Sequence, residues 1–302
     1  MRPRCPVCGE DSTTDLWSLP TDWLREEWRK RYQIELGGEL PRTGFVTLKK
    51  CTLCGLQFFQ PMWTASPQLY SELGKVSWYY RQDKWEFQRA AKLIRSNESV
   101  CELGCGDGAF LEALGGGKGN TRLGLELSET AGQCARVRGL DVRNINVEEF
   151  AKYSSDLFDV VCAFQVLEHV SDPVNFIRNA MRLLKKGGRL LISAPNADSF
   201  LRWEVNPLDM PPHHVTRWTP KALMNFTARL GLEHARVFNE PLDPIHAESY
   251  ARALLSRVAG TPIGSAVTHW RTLGMLIWIL KQYFVRQFVT GHTIMISARK
   301  VS

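Results

Sequence analysis

The segment that most constrains the fold is an apolar run, Val100–Leu103, that leads into a turn with glycines at three alternate positions between Gly104 and Gly108. Glycine adopts positive φ values that other residues disfavour, and it lets a ligand approach the main chain closely. The pattern therefore predicts a buried strand followed by a ligand-binding turn. Together with Ala109 and Glu126, these glycines also satisfy the spacing of dinucleotide-binding sites, so other residues must decide which cofactor binds.

Short apolar runs then alternate with helical stretches. Strands are predicted at residues 99–103, 121–126, 141–145, 158–164 and 188–194, each followed by a helical stretch. Such alternation is typical of βα units that build a parallel sheet. A further helix over 219–231 and two strands, Glu233–Phe238 and His292–Ala298, complete the predicted α/β domain. The long connection between the last two strands contains two helical patterns, Ala247–Val258 and Thr268–Phe288.

Four motifs occur in order along this region: the glycine loop, the acidic strand end Leu123–Glu126, the segment Phe158–His169 and the Gly-Gly-containing segment Leu184–Ser193. Together they resemble the class I S-adenosylmethionine-dependent methyltransferases over roughly residues 100 to 232. The resemblance implies a doubly wound, seven-stranded Rossmann-like sheet with an antiparallel last strand. An NAD enzyme is disfavoured because Glu102, just before the glycines, would repel a pyrophosphate but suit a cationic amino-acid group.

The resemblance also implies which residues hold S-adenosylmethionine, the methyl donor. Residues of the first motif, Glu102, Gly104, Gly106 and Gly108, flank its amino-acid portion, and Glu126 accepts from both ribose hydroxyls. Asn146 and Val147 lie where the family often has an acidic residue beside the adenine, and Gln165 lies near the donor. Methyl transfer from a sulfonium depends mainly on positioning of the two reactants, and it needs no redox cofactor or catalytic metal.

Three histidines are candidates for a general base that deprotonates the acceptor. His213 and His214 lie in a proline-stiffened loop, Pro211–Trp218, where this family builds acceptor pockets, and His214 is the first choice. His169 is the third candidate, with Glu168 beside it. The alternative for each histidine is that it only hydrogen-bonds loop backbone.

Two C-x2-C-G knuckles, containing Cys5, Cys8, Cys51 and Cys54, offer four thiolates at a spacing that suits one structural Zn²⁺. The long stretch between them predicts an insert with a helix around Thr21–Arg31, and a redox role is the alternative. We therefore expect a zinc ribbon over residues 1–62, an aromatic linker and helix over 63–98, and a methyltransferase domain over 99–302 with a helical insertion at about 240–290. Four further cysteines, Cys101, Cys105, Cys134 and Cys162, are predicted to be packing residues.

The net charge of +7 is concentrated in the last sixth of the chain. Residues 249–302 contain seven basic and no acidic side chains. Within them Leu273–Leu280 is apolar on every helical face and too short to span a bilayer. This helix is expected to pack on the core, in a homodimer, or on an anionic membrane surface. Without an export signal, the protein is expected to be cytoplasmic, with the inner face of the membrane as an alternative location.

The ribbon and the His-His loop resemble a branch of class I enzymes that methylates sugars, glycan intermediates and natural products. This implies a small-molecule acceptor, such as a nucleotide- or lipid-linked sugar, with carbon or oxygen methylation left open. The alternative is an RNA methyltransferase that recognises RNA through the ribbon, although basic and acidic residues nearly balance over residues 1–62. A non-catalytic scaffold is the third alternative, but the donor motif is intact.

Overall fold

The computed structural model describes residues 4–76, 79–115, 119–258 and 270–301. Its strands and helices follow along the chain as β1 (Thr13–Pro20), α1 (Thr21–Tyr32), β2 (Phe45–Cys51), β3 (Gln57–Gln60), α2 (Pro67–Gly74), α3 (Trp85–Leu93), β4 (Ser99–Leu103), α4 (Ala109–Leu114), β5 (Thr121–Leu125), α5 (Glu129–Val137), β6 (Val142–Arg143), α6 (Val147–Lys152), β7 (Phe158–Phe164), α7 (Pro173–Leu183), β8 (Leu184–Pro195), β9 (Thr216–Arg217), α8 (Pro220–Arg229), β10 (Glu233–Pro241), α9 (Ala247–Val258), α10 (Trp270–Lys281), α11 (Tyr283–Arg286) and β11 (Thr290–Arg299). Short 3₁₀ turns lie at Leu167–His169, Phe200–Trp203, Pro207–Asp209 and Pro244–His246.

The main sheet has seven strands in the order β10-β11-β8-β7-β4-β5-β6. The five strands from β8 to β6 are parallel, and β11 pairs antiparallel with both β8 and β10. The α/β fold class predicted from the sequence is therefore confirmed, including the antiparallel final strand. The carboxyl ends of β4, β5 and β7 meet at one edge of this sheet, which is where ligands bind in open parallel α/β sheets.

A second sheet, in the order β1-β2-β3-β9, contains the cysteine-rich region. Its first three strands come from residues 13–60, with α1 inserted between β1 and β2 as the sequence predicts. Its fourth strand, β9, comes from far along the chain and pairs with β3 through Thr216 and Arg217. Side chains of the cysteine-rich region and of the larger domain belong to one apolar cluster, in which Cys54 and Phe58 occur together with Trp218. The cysteine-rich region thus packs directly on the larger domain.

Local sequence signals explain where helix α8 begins. Helix α8 begins as predicted, because the Thr219 side chain accepts from the Ala222 N–H and Pro220 takes the first position. Helix α9 spans the predicted residues, whereas positions 268 and 269 of the other predicted helix lie outside the described residues.

The packing prediction for the cysteines outside the knuckles is correct for Cys101, Cys105 and Cys162, which are buried, and wrong for Cys134. Cys134 is exposed because α5 buries the face that carries Ala131 and Ala135. In the part of the chain that is described, no helix is long and apolar enough to cross a bilayer.

Candidate active site

The glycine loop lies directly after β4 and is fastened to the end of β5. Gly104 and Cys105 both donate their N–H groups to the Leu125 carbonyl, at 2.7 and 3.2 Å. Gly104 and Gly106 have φ values of +69° and +55°, and a Cβ added to Gly104 would lie 2.7 Å from a Val166 methyl carbon. The loop therefore needs glycine at these positions both for its backbone conformation and for space.

Glu102 is the last but one residue of β4 and is 2% exposed. Its Oε2 has no hydrogen-bond partner among the described residues. Burial raises the pKa of this carboxyl well above its usual range, and the nearby Glu126 adds to the shift. A buried, unpaired carboxyl oxygen beside a glycine loop fits a cationic group of a ligand, because burying an unsatisfied polar atom is costly.

Glu126 follows β5, and its carboxylate is bound to both sides of the loop. One oxygen accepts from the Gly106 N–H at 2.8 Å and the other from the Ser128 N–H at 2.7 Å. Burial raises the pKa of Glu126, and these backbone hydrogen bonds oppose the shift. Each carboxylate oxygen can accept a second hydrogen bond, so Glu126 remains able to bind a pair of hydroxyl groups.

Of the other residues predicted to hold the cofactor, three line the cavity and one does not. Asn146 caps α6, since its Oδ1 accepts from the Glu149 N–H at 2.8 Å, and Val147 begins that helix. Gln165 has a φ of +56° and donates to Glu86 at 3.0 Å. All three line the cavity described next, whereas Gly108 is not among its lining residues and forms the left-handed N-cap of α4.

A cavity of about 720 Å³ opens above the glycine loop. Glu102, Gly104, Gly106 and Glu126 line one part of it, and His169, His213 and His214 line another. Apolar and aromatic side chains form much of the remaining wall, among them Tyr70, Tyr79 and Phe176. The two groups of residues that the sequence singles out therefore face one space, and this space exceeds 300 Å³, the lower end of the range for small-molecule pockets.

Backbone contacts hold the His-His loop against the turn that carries His169. The His213 and His214 N–H groups both donate to the Met210 carbonyl at 3.0 Å. The Val215 N–H donates to the Glu168 carbonyl at 2.8 Å, and the next residue begins β9. The pairing of β9 with β3 therefore connects the position of the histidines to the cysteine-rich sheet.

His214, Asp209 and Arg217 form a chain of polar side-chain contacts, which we call the relay. His214 Nδ1 lies 3.1 Å from Asp209 Oδ1, and the other oxygen of Asp209 lies 2.8 Å from Arg217 Nη2. All three side chains are buried. Since a carboxylate only accepts, Nδ1 carries the proton and Nε2 presents a lone pair. Burial, together with His169, His292 and Arg217, holds the pKa of His214 well below its usual range, so the ring is neutral at pH 7.

The other two histidines are bound differently. His213 Nδ1 lies 2.8 Å from the Leu208 carbonyl and its Nε2 lies 3.1 Å from the Tyr79 hydroxyl, so both ring nitrogens have partners. His169 Nδ1 lies 2.6 Å from the His213 carbonyl. Burial lowers the pKa of His169 to about 4. Among the described residues, no hydrogen bond involves His214 Nε2, so this nitrogen can accept a proton.

Glu168, which precedes His169 in the sequence, is a further candidate site residue. It is 1% exposed, lines the cavity, and neither carboxyl oxygen has a hydrogen-bond partner in the described structure. Burial raises its pKa to about 8. The adjacent His169 places its Nε2 3.9 Å from Glu168 Oε1. A mostly protonated carboxyl in this position can donate to, or accept from, a polar group of a ligand.

The four knuckle cysteines converge at one point. Cys5 Sγ lies 3.5 Å from Cys54 Sγ, and Cys8 Sγ lies 3.4 Å from Cys51 Sγ. All four sulfur atoms lie within 4.8 Å of one another, and all four thiols are free. Zinc–sulfur bonds of about 2.3 Å place the sulfur atoms of a tetrahedral site about 3.8 Å apart, so the donor set fits Zn²⁺.

Comparison with known proteins agrees with this geometry. Residues 78–237, just over half of the chain, match the family described as "Methyltransferase domain". The ubiquinone biosynthesis O-methyltransferase of Thiobacillus denitrificans is 35% identical over 114 residues, which are 35% of this chain and 49% of that protein. The enzyme of the same name from Pseudomonas paraeruginosa is 35% identical over 107 residues, 33% of this chain and 46% of that protein.

The chain thus spans about half the length of these curated relatives. Among solved structures, an S-adenosylmethionine-dependent methyltransferase from Archaeoglobus fulgidus superimposes with a TM-score of 0.51 at 17% identity, covering 78% of this chain and 95% of that one. This likeness concerns the fold. With the match over residues 78–237 and the arrangement of the glycine loop on β4, we conclude that the chain belongs to the methyltransferase-domain family.

Proposed function

We propose that this protein transfers a methyl group from S-adenosylmethionine to a hydroxyl group of a small-molecule acceptor. The observation that supports this most is the shared cavity, which joins the glycine loop after β4 to the relay formed by His214, Asp209 and Arg217. One part of the cavity suits the donor and the other offers a base. The names of the curated relatives, which are O-methyltransferases, favour oxygen as the acceptor atom.

In the donor half of the site, two carboxyl groups have unused hydrogen-bonding capacity that matches polar groups of the donor. Glu102 would pair with the cationic amino group, because its buried Oε2 has no partner in the described chain. Glu126 would accept from the ribose hydroxyls while its position is held by Gly106 and Ser128. When bound, S-adenosylmethionine supplies a methyl group that is already activated by a sulfonium, so the protein's task is to orient the two reactants.

His214 is proposed to remove the acceptor hydroxyl proton at Nε2. Asp209 holds the Nδ1–H tautomer and stabilises the imidazolium that forms, and Arg217 holds Asp209 in place and opposes the rise in its pKa that burial causes. A positioned general base accelerates such reactions by roughly 10²- to 10⁴-fold. His213 and His169, which are engaged through Nδ1 with backbone carbonyls, are proposed to orient the loop and the acceptor.

The proposed acceptor is a ring-bearing, hydroxylated molecule such as a sugar or a glycan- or lipid-linked intermediate. Tyr70, Tyr79 and Phe176 offer ring faces, and the buried carboxyl of Glu168 offers a hydrogen-bond partner for a hydroxyl. A small acceptor is favoured over RNA because the cysteine-rich region, the natural recognition module, has nearly balanced charge.

The four knuckle cysteines are proposed to bind one structural Zn²⁺. Four thiolates close the coordination sphere, so the metal would have no open position for substrate. Its proposed role is mechanical. Asn225 donates to the Cys54 carbonyl at 3.0 Å. In addition, β3 pairs with β9, which begins two residues after His214. A correctly folded ribbon would therefore help to place His214.

The test is transfer of label from methyl-labelled S-adenosylmethionine into fractionated cell extract, followed by separation into small molecules, lipids, glycans and RNA. Label in a small-molecule or lipid-linked fraction supports the proposal, and label in RNA alone contradicts it. With the acceptor fraction in hand, His214→Ala should lower turnover by about 10²-fold or more without weakening donor binding. The matched control is His234→Ala, since His234 is exposed and outside the cavity lining.

A further inference from the structure

Five apolar side chains on α10, on α11 and just after α11 are strongly exposed. Met275, Trp278, Tyr283, Phe284 and Phe288 are 59, 65, 61, 79 and 91% exposed. We call these five residues the aromatic face. They are confined to residues 275–288, and Tyr283 and Phe284 are in edge-to-face contact with ring centroids 5.6 Å apart. Soluble monomers rarely concentrate so much apolar surface unless it binds a partner.

The aromatic face is exposed because the opposite side of α10 is already packed. Leu280 is 4% exposed and belongs to an apolar cluster with Phe200 and Ala251, and Leu276 and Ile277 pack against that cluster. Met275 and Trp278 are three positions apart and therefore share the side that points away. Helix α10 thus has its burial partner within the domain, and its outer side is left for something else.

The charge of this region distinguishes between two partners. Lys281 is exposed between the two groups of apolar residues, and the Arg286 guanidinium lies 5.4 Å from the Tyr283 ring centroid. Residues 249–302 contain no acidic side chain. Arg252 and Lys300 pair with Glu248 and Asp156 outside this range, whereas no ion pair of the described residues involves Lys281 or Arg286. In a symmetric dimer the facing copy would present the same cations and no acidic side chain from residues 249–302, whereas an anionic surface would attract them.

We infer that the aromatic face binds the surface of an anionic lipid bilayer. Amphipathic helices that lie in the membrane interface combine aromatic and aliphatic residues on one side with nearby lysine and arginine. Tryptophan and tyrosine favour the headgroup region, and each basic residue near an anionic surface strengthens binding. Docking of this kind does not depend on the proposed methyl transfer.

The aromatic face also lies close to the candidate active site. Leu201 belongs to the apolar cluster beneath α10 and at the same time lines the cavity. His246, which immediately precedes α9, lines the cavity as well. Leu201 therefore connects the apolar cluster beneath α10 to the cavity wall, and this placement would suit an acceptor that is carried by a lipid, on the basis of the proposed function.

The test is co-sedimentation of the full chain with vesicles of phosphatidylcholine alone and of phosphatidylcholine with phosphatidylglycerol. The wild type should pellet with the anionic vesicles and should be released by added salt. Phe284→Glu with Phe288→Glu should reduce binding at least about tenfold. Lys281→Ala should reduce it about fivefold, which corresponds to about 1 kcal/mol. The substituted side chains are exposed, so thermal unfolding should be unchanged.

Matched controls are Phe45→Glu and Lys152→Ala, which change exposed residues outside the aromatic face. The inference is overturned if the wild type does not pellet with anionic vesicles at low salt. It is equally overturned if the variants and the controls bind alike, or if binding to neutral vesicles is as strong. Sedimentation velocity without lipid gives the competing outcome: a dimer that Phe284→Glu dissociates would assign this face to a second copy of the chain.

Discussion

Glu102 offers a prediction that needs no knowledge of the acceptor. Its carboxyl is 2% exposed, Oε2 has no partner in the described chain, and burial raises its pKa well above the usual range. Burial therefore extends the pH range over which the carboxyl of the free protein holds a proton. A cationic amino group bound next to it favours the ionised form, so donor binding should release protons over that pH range. The dissociation constant should then fall by up to tenfold for each unit that the pH rises.

Calorimetry measures this release directly. Titration of S-adenosylmethionine at one pH, in two buffers with different heats of ionisation, gives the number of protons exchanged from the difference in binding heat. The range from pH 6 to 7 keeps the donor's own amino group charged, since such groups titrate near pH 7.7–8.0. The wild type should release protons on binding the donor, and Glu102→Gln should release none. Loss of the charged partner should also weaken binding by about 1.5–3 kcal/mol at the upper end of the range.

The matched control is Glu112→Gln, which changes an exposed carboxylate on α4 and should behave as the wild type. If Glu102→Gln binds the donor with the same affinity, the same pH dependence and the same proton release as the wild type, the pairing of Glu102 with the donor's amino group is wrong.

Three further changes test other parts of the account. Elemental analysis should give about one zinc per chain, and Cys51→Ser should remove it and unfold the ribbon; a fully folded, metal-free wild type would contradict the zinc site. Asp209→Asn leaves buried Arg217 without its charged partner and should lower the free energy of unfolding, measured with denaturant, by about 3–5 kcal/mol. A loss below about 1 kcal/mol would show that the Asp209–Arg217 pair does not stabilise the fold. The pKa of Glu168 is raised to about 8 from a usual value of 4.5, so its contribution to stability is present below pH 4.5 and is lost as the pH rises through 8. Glu168→Gln should therefore gain stability relative to the wild type over this range, by an amount on the order of 4 kcal/mol, and parallel stability curves would argue against a buried, unpaired carboxyl.

The sequence predicts those parts of this molecule that depend on local pattern. A strand that ends in a glycine turn, a Thr-Pro helix start such as Thr219–Pro220, and paired C-x2-C knuckles each combine their own chemistry with a fixed spacing, and the structure has all of them. The antiparallel last strand was predictable only through resemblance, because the intervening insertion hides the hairpin.

Contacts between distant segments were not predictable. No sequence signal indicates that β9 completes the cysteine-rich sheet, since it has only two residues and pairs with a strand about 160 positions away. Asp209 and Arg217 were missed as partners of His214 for a related reason, because only the fold of the loop brings their side chains together. The raised pKa of Glu168 was not predictable from the sequence, because its burial is a tertiary property.

Glu102, the glycine loop and Glu126 are proposed to form the binding site for S-adenosylmethionine, and the proposed function depends on this site. The most direct measurement is calorimetric titration of the wild type and of Glu126→Ala with S-adenosylmethionine, its demethylated product and NADH. One molecule of the donor or of its product should bind per chain, Glu126→Ala should weaken the binding of both by about 1.5–3 kcal/mol, and NADH should not bind. Binding of NADH together with no measurable heat from S-adenosylmethionine would contradict the proposed binding site.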